Sequence, residues 1–397
     1  MTGAITAPRG FRAAGVACGI KPGRPDLALV AAERACAAAA VFTTNLAPAA
    51  PVVLSRRHLA AGRARAIVAN AGCANAATGA RGLADAERMA ALVGEGLGCP
   101  PAEVVVASTG VIGVMLPMDR VSAGIGAALG ALSKDAGGEA ARAILTTDTR
   151  PKEAAAELAL GGRRACIGAM AKGAGMIAPR MATLLAFFTT DASIEPGPLR
   201  AALVAAVGES LNRVTVDGDT STNDMAVILA SGEAGNDPIR GPGPEYDAFS
   251  TALEGVAREI AGMIVRDGEG VTRVSEVRVE GARDAEEADR IARTVAESLL
   301  VKTALHGGDP NWGRILAAVG RSGVAVDESR VDIFLGDVWV AEGGSARDYP
   351  EDRARAALVS EDPVRIRIRL NAGTASGWML TSDLSKAYVD INASYRS

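Results

Sequence analysis

Strict alternation in the segment VRIRIRL, residues 364–370, constrains the fold more than any other feature of the sequence. Its aliphatic residues fall on one side and its three arginines on the other, which is the period of a β-strand with one buried face. A net charge of −4 argues against a basic patch for a polyanion. We therefore interpret the arginines as the solvated face of a strand whose other face lies against the core.

Further strands and helices are mixed along the chain. The segments 63–72 and 103–109 are short and apolar, as buried strands are, whereas 84–98, 119–133 and 249–264 have helical periodicity. Several strands lie too close together in sequence for helical crossovers, so an antiparallel component is expected. These patterns predict an α/β (α+β) protein of layered helices and sheets.

Length and composition narrow the class of protein. A chain of 397 residues can form two or more domains, and 3% aromatic residues leave little for base stacking. The five scattered cysteines form no CxxC pair, which argues against disulfides and structural zinc. The start lacks a signal-peptide pattern, and the Ala-rich run 35–54 is interrupted by polar residues and prolines. The expectation is a cytoplasmic protein that binds small molecules, with no nucleic-acid or membrane partner.

The chain has only two histidines, and this scarcity limits the mechanism. We expect His58 near a helix start on the surface and His306 in a turn-rich loop, and no GxSxG motif accompanies either. The run VDGDTSTND resembles a calcium loop at Asp217 and Asp219, but the glycine and glutamate of such a loop are missing. It is predicted to be a polar turn, and no metal site is predicted.

Thr183 follows a flexible segment and begins an apolar run. A lysine would be uncharged less than about 0.1% of the time at neutral pH, whereas an α-amino group has a reference pKa of about 7.7 to 8.0. Cleavage before Thr183 would thus place a nucleophile and a base on one residue. Glycines before the site and the small Ala182 would allow that cleavage. A buried, β-branched strand threonine is the alternative interpretation.

Several ordered motifs carry a resemblance to a known family. They are AVFTTN (40–45), ASTGVIG (107–113), TTDTRPK (146–152), KGAGMIAP with MATLLAF, VDGDTSTND, RDGEG (266–270), VKTALHGGDPNWGRI (301–315) and YVDINASYRS at the end. Over essentially its whole length the sequence resembles the ornithine acetyltransferase family of arginine biosynthesis, also called glutamate N-acetyltransferase. The resemblance implies a layered α/β/β/α sandwich of the ornithine acetyltransferase and aminopeptidase type, similar to N-terminal nucleophile enzymes.

The family implies self-cleavage between Ala182 and Thr183. The products would be an α chain, 1–182, and a β chain, 183–397, which stay associated as an α2β2 heterotetramer. Thr183 would take acetyl from N-acetylornithine as an ester, release ornithine and pass the acetyl group to glutamate, which gives N-acetylglutamate by ping-pong kinetics. No cofactor is implied, and acetyl-CoA is a possible co-substrate for N-acetylglutamate synthesis.

The resemblance also assigns site residues. Thr109 and Gly110 would form the oxyanion hole. The substrate contacts carried over by motif are Thr149, Lys172, Thr183, Glu269, Asn392 and Ser397. Lys172 suits a substrate carboxylate and Glu269 suits the amine of ornithine, although both residues could instead be solvated surface charges.

Two departures and two alternatives stay open at this stage. Arg180 and Cys73 each stand where the family commonly has asparagine, and Arg180 lies close to the scissile bond. An autoproteolytic amidase or aminopeptidase would use the same threonine with water as acceptor. A non-catalytic member of the family would be neither cleaved nor acetylated.

Overall fold

The computed structural model describes residues 3–178 and 184–394. They form two compact units: the first comprises the chain up to residue 212 together with 219–264, and the second comprises 213–218 and the chain from 265 onward.

The described residues form fifteen β-strands and eleven α-helices. The strands are β1 (Phe11–Val16), β2 (Leu27–Phe42), β3 (Arg63–Cys73), β4 (Val104–Val111), β5 (Lys152–Leu160), β6 (Arg163–Lys172), β7 (Leu185–Thr190), β8 (Val214–Thr215), β9 (Met225–Ala230), β10 (Val274–Ala282), β11 (Asp332–Leu335), β12 (Val338–Glu342), β13 (Ser345–Ala346), β14 (Val364–Arg369) and β15 (Ala375–Ser382). The helices are α1 (Ala50–His58), α2 (Gly79–Leu97), α3 (Met118–Gly130), α4 (Gly137–Ala143), α5 (Pro196–Gly208), α6 (Pro244–Arg266), α7 (Ala285–Ala296), α8 (Leu299–Gly307), α9 (Trp312–Gly320), α10 (Glu351–Ser360) and α11 (Lys386–Ser394).

The first unit contains a mixed sheet with the strand order β4-β3-β2-β9-β7-β6-β5, and β1 pairs with β2. Strands β5 and β6 form an antiparallel hairpin across Gly161 and Gly162, which both have positive φ. A Gly-Gly pair suits a two-residue hairpin turn because each position requires that conformation. Strand β7 pairs in parallel with β9 and antiparallel with β6, so Leu185 lies between Met225 and Lys172.

Alternate residues of the strands in this unit are buried in two separate clusters. Ala66 and Val68 of β3 pack with residues of α2 and α3, whereas Ile67 and Ala69 pack in a second cluster that includes residues of α4. Helices therefore cover both faces of this part of the sheet, which explains why the strands are nearly continuous runs of small apolar residues.

The second unit contains the sheet β13-β12-β11-β14-β10-β15-β8. Its core joins strand residues to apolar residues of α7, α8, α9 and α10. In β14 the aliphatic side chains are buried, as the alternation predicts. The arginine face is not wholly solvated, because the guanidinium groups of Arg367 and Arg369 lie over the ring of Phe334, with Cζ to ring-centroid distances of 4.2 and 5.3 Å.

The predicted α/β class with an antiparallel component is confirmed, and the predicted helices and strands are present with shifted ends. Helix α2 begins at Gly79, five residues earlier than predicted. Two placements were wrong: His58 is the last residue of α1, and His306 lies on α8 rather than in a loop. Within the described residues, no helix is long and apolar enough to span a membrane.

Candidate active site

The residues around the proposed nucleophile lie partly outside the described chain. Arg180, Ala182, Thr183 and Ser397 are not among the described residues. The chain resumes at Leu184, whose carbonyl oxygen accepts a hydrogen bond of 3.0 Å from the backbone nitrogen of Met225. The residue that follows Thr183 is therefore held beside the first residue of β9, just before β7 enters the sheet.

The predicted oxyanion residues lie in β4 near its end, where Thr109 is buried. Lys172 Nζ donates a hydrogen bond of 3.2 Å to Thr109 Oγ1, so two residues that are 63 positions apart meet. Gly110 has φ of +128°, and a Cβ there would lie 2.3 Å from the carbonyl carbon of Gly72. Only glycine fits this position, since any side chain would strain the backbone and collide with its neighbour.

A buried polar network lies next to these residues and was missed in the sequence analysis. Ser108 Oγ donates to Asn70 Oδ1 at 2.6 Å, and Asn70 Nδ2 donates to the carbonyl oxygen of Cys73 at 2.8 Å. Asn223 Nδ2 donates to the carbonyl oxygens of Ser108 and Ala74 at 2.8 and 2.6 Å. These bonds fix the end of β4, because a buried amide that loses its partners carries a large penalty. Polar residues within apolar strands were the available signal.

A second missed group is a buried ion pair in the motif TTDTRPK. Asp148 Oδ1 lies 2.6 Å from Lys152 Nζ, and both side chains are 0% exposed. The same oxygen accepts from the backbone nitrogen of Gly173 at 2.7 Å. Burial raises the pKa of Asp148, but the charges of Lys172 and Lys152 and the hydrogen bonds outweigh it and lower the pKa to about 2. The spacing of four residues between Asp148 and Lys152 was the sequence feature that could have predicted this ion pair. Thr149 follows directly and is exposed.

Asp224 is a buried carboxyl group whose pKa is shifted in the opposite direction from that of Asp148. It is 3% exposed, and among the described residues its Oδ2 has no hydrogen-bond partner. Burial raises its pKa well above the ordinary value, and Ser221 and Lys172 only partly oppose the shift. Asp148 is thus held as an anion, whereas Asp224 favours its neutral form.

The second unit brings together two further predicted residues. Asn392 Nδ2 on α11 donates to Glu269 Oε2 at 2.8 Å and to the carbonyl oxygen of Tyr388 at 3.0 Å. Glu269 is only 9% exposed, so it is not a solvated surface charge. The carboxylate keeps a second oxygen that can accept from a cationic amine.

The two histidines and Cys73 contact groups other than the predicted site residues. His58 Nδ1 lies 2.8 Å from the carbonyl oxygen of Val104, and His306 Nδ1 lies 2.8 Å from Asp383 Oδ2. Asp217 and Asp219 belong to no metal-binding cluster: within 3–178 and 184–394, no group of three or more His, Cys, Asp or Glu residues could hold a metal ion. Cys73 is a free, buried thiol whose Sγ contacts the carbonyl oxygen of Val114 at 3.2 Å.

In the first unit, the ammonium group of Lys172 and the hydroxyl group of Thr109 therefore lie together near the end of β4, next to the buried network of hydrogen bonds. Donors fixed in this way stabilise an oxygen that gains negative charge during acyl transfer. The second unit presents a buried carboxylate and amide. Each of these charged groups can bind an oppositely charged group of a small molecule.

Comparison with known proteins gives the family. The model of the ArgJ family matches residues 12–397. The arginine biosynthesis bifunctional protein ArgJ of Symbiobacterium thermophilum is 51% identical over 400 aligned positions, which cover 100% of this chain and 99% of that protein.

Two solved structures are also similar. One is the arginine biosynthesis bifunctional protein ArgJ of Bacillus halodurans, with 43% identity and a TM-score of 0.50, covering 52% of this chain and 97% of that chain. The other is the ornithine acetyltransferase of Mycobacterium tuberculosis complexed with ornithine, with 45% identity and a TM-score of 0.42, covering 45% of this chain and 96% of that chain. The family match and the identity over the full chain show that this protein belongs to the ArgJ family and is an acyltransferase of arginine biosynthesis.

Proposed function

We propose that this enzyme transfers an acetyl group from N-acetylornithine to glutamate through an acetyl ester on Thr183, after the chain has cut itself between Ala182 and Thr183. The observation that carries the proposal is the hydrogen bond of 3.2 Å between Lys172 Nζ and Thr109 Oγ1. Lys172 is paired with Leu185, two residues after Thr183. The donors and the start of β7 therefore belong to one end of the sheet.

The order of the strands supports stable association of the two fragments. The fragment 183–397 contributes β7 and β9, which lie between β2 and β6 of the fragment 1–182. A cut before Thr183 breaks one peptide bond but leaves the hydrogen bonds of both neighbouring strand pairs intact. The solved Bacillus halodurans chain agrees with two fragments, because it covers only 52% of this chain at 97% of its own length.

Cleavage begins with attack of the Thr183 hydroxyl on the Ala182 carbonyl carbon. The backbone C–N bond breaks as the C–O bond forms, and water then hydrolyses the ester. The products are a carboxylate at Ala182 and a free amino group at Thr183. With a reference pKa of about 7.7 to 8.0, that amino group accepts protons at neutral pH without a histidine.

Acetyl transfer repeats this chemistry with the substrate. Thr183 Oγ1 attacks the acetyl carbon while its proton passes to the Thr183 amino group, and Thr109 and Gly110 stabilise the oxyanion. The amide C–N bond breaks and ornithine leaves with the proton. The amine of glutamate then attacks the ester, which releases N-acetylglutamate and restores the threonine. One amide replaces another, so no ATP is consumed.

The charged groups suit the substrate. Lys172 binds the α-carboxylate, and Glu269 together with Asn392 binds the side-chain amine of ornithine. Thr149 and Ser397 complete the contacts that the resemblance assigns. Two copies of each fragment assemble as α2β2, and acetyl-CoA serves as a second donor in N-acetylglutamate synthesis.

The decisive experiment compares Thr183→Ala with Thr183→Ser. Each protein is analysed by mass spectrometry and assayed with N-acetylornithine plus glutamate, and separately with acetyl-CoA plus glutamate. Thr183→Ala should remain one chain without activity, whereas Thr183→Ser keeps a hydroxyl and should be cleaved and retain transfer. An uncut wild-type chain that transfers acetyl would refute the mechanism. Acetate release without N-acetylglutamate would instead favour an amidase.

A further inference from the structure

Two residues of the segment 301–315 have no part in the proposed chemistry. Lys302 and His306 lie one turn apart on the same face of α8. Lys302 is 1% exposed, and its Nζ donates to Thr381 Oγ1 at 3.2 Å, to Ser382 Oγ at 3.1 Å and to the carbonyl oxygen of Ser382. Helix α8 is thereby attached to the end of β15.

His306 attaches α8 to Asp383, the residue that directly follows β15. Its Nδ1 donates to Asp383 Oδ2 at 2.8 Å. The buried Asp383 also accepts from the backbone nitrogens of Thr272 and Arg273, at 2.9 and 3.0 Å, and from Thr272 Oγ1 at 2.5 Å. Burial raises the pKa of Asp383, but these hydrogen bonds outweigh it and lower the pKa, so the group acts as an anion. Four donors from two separate segments meet on one carboxylate.

The same segments meet at two further points closer to the proposed substrate. Ser385 Oγ donates to the carbonyl oxygen of Gly270 at 2.5 Å, and Asn392 Nδ2 donates to Glu269 Oε2 at 2.8 Å. A Cβ at Gly270 would lie 2.4 Å from the backbone nitrogen of Tyr388, so the backbones are in close contact. We call the segments 269–273 and 383–392, joined at these three points, the clasp.

We propose that His306 is a positioning residue: its bond to Asp383 anchors the clasp to α8 and thereby sets the position of Glu269 for the amine end of the substrate. This inference rests on the proposed function, which gives Glu269 its role in substrate binding. Without the imidazole, Asp383 keeps its donors from Thr272 and Arg273 but loses its side-chain bond to α8. The clasp is then held to α8 by the remaining bonds, from Arg273 Nη1 to the carbonyl oxygens of Leu305 and His306 and from the backbone nitrogen of Leu384 to the carbonyl oxygen of Lys302, and this weaker attachment allows a small shift.

A small shift of a charged contact weakens binding more than it changes the chemistry, because the nucleophile and the oxyanion donors belong to other segments. His306→Ala should raise KM for N-acetylornithine by about three- to tenfold and leave kcat within about twofold. His306→Asn should restore most of the loss, since the asparagine Nδ2 can replace the imidazole Nδ1 as a donor.

The test uses the full chain, with His58→Asn as a matched control at the other histidine, whose Nδ1 contacts a backbone carbonyl. Steady-state kinetics are measured for all variants, together with hydrogen–deuterium exchange of peptides covering 266–273 and 383–394. We expect faster exchange of both peptides in His306→Ala, little change in His306→Asn, and no change at either peptide in His58→Asn.

The possible failures can be told apart. Unchanged KM and exchange in His306→Ala would overturn the inference and leave the proposed function standing, as would a His306→Asn variant no better than alanine. A wild-type enzyme that cannot transfer acetyl would overturn the proposed function, and the exchange of the two peptides would still decide whether His306 anchors the clasp.

Discussion

Two buried lysines, one in each unit, compensate the lost hydration of their ammonium groups in different ways. Lys152 in the first unit lies 2.6 Å from the carboxylate of Asp148, and both side chains are fully buried. Lys302 in the second unit is equally buried, but its hydrogen bonds within the described chain all go to hydroxyl or carbonyl oxygens. Burial lowers the pKa of Lys302 to about 8, and the more distant Asp383, Asp217 and Glu297 only partly oppose the shift.

The difference shows that burial alone does not decide the cost of an internal charge. A direct carboxylate partner compensates the lost hydration, whereas neutral oxygens compensate it only in part. We therefore expect the region around Asp148 to be sensitive to loss of one partner, and the region around Lys302 to be sensitive to pH.

The largest effect is expected for Asp148→Asn. The change keeps the shape of the side chain but leaves Lys152 as a buried charge without its carboxylate, which should lower the free energy of unfolding by about 3–5 kcal/mol. Urea denaturation at pH 7 measures it. Because the folded pKa is about 2, below the ordinary value of 3.8, the difference from wild type should persist at neutral pH and shrink as pH falls from about 4 to 2. A loss below about 1 kcal/mol would contradict the comparison.

The next effect is a pH dependence that Lys302→Met should remove. Because the folded pKa of about 8 lies below the reference value of 10.5, the unfolded chain holds more protons between these values and wild-type stability gains a positive slope with pH. The wild type should gain about 2 kcal/mol between pH 7 and 9.5 relative to the variant. Parallel stability curves for the two proteins would show that Lys302 does not titrate in this range.

A smaller effect is expected for Thr381→Val. The change removes an acceptor for Lys302 Nζ and a donor to the carbonyl oxygen of Ala296, which should cost about 1–2 kcal/mol and lower the pKa of Lys302 further. The matched control is Thr190→Val, which also removes a buried hydroxyl bonded to a carbonyl oxygen, that of Cys166, but lies in the first unit. Only the variant at Thr381 should change the pH dependence.

The smallest effect is expected for an exposed pair, Arg34 and Glu233, whose side chains are 72% and 37% exposed. Glu233→Gln should change stability by less than about 0.5 kcal/mol, because water screens the interaction. A loss comparable to that of Asp148→Asn would mean that charge loss, rather than burial, produces the larger effect.

Local patterns predicted the strands and helices well where neighbouring residues carry the signal. The alternation in 364–370 identified β14, and helical spacing identified α6. The Ala-rich run within β2 gave no such signal, because alanine has low strand propensity. It is extended because it pairs with β9 on one side and with β3 on the other.

The candidate site was predictable only in part, for the same reason. The motifs named Thr109, Lys172, Glu269 and Asn392, but not the contacts between them. Asn223 and His306 were in quoted motifs, yet their partners come from distant segments. Asp148 pairs with Lys152 of its own motif but also accepts from Gly173, which lies in another segment. His306 was expected in a loop because the glycines after it suggested a turn, and they instead mark the end of α8.

By itself the sequence determined the periodicity of its elements and the scarcity of histidine, and it led to the proposal that a threonine uses its own amino group in place of a histidine. Only the tertiary structure decided that β9 lies between β2 and β7, that Lys172 reaches Thr109, and that one carboxyl group is held as an anion while another favours its neutral form. The physical reason is that periodicity is set by neighbours along the chain. Pairing, burial and charge state are set by residues that become neighbours only after folding.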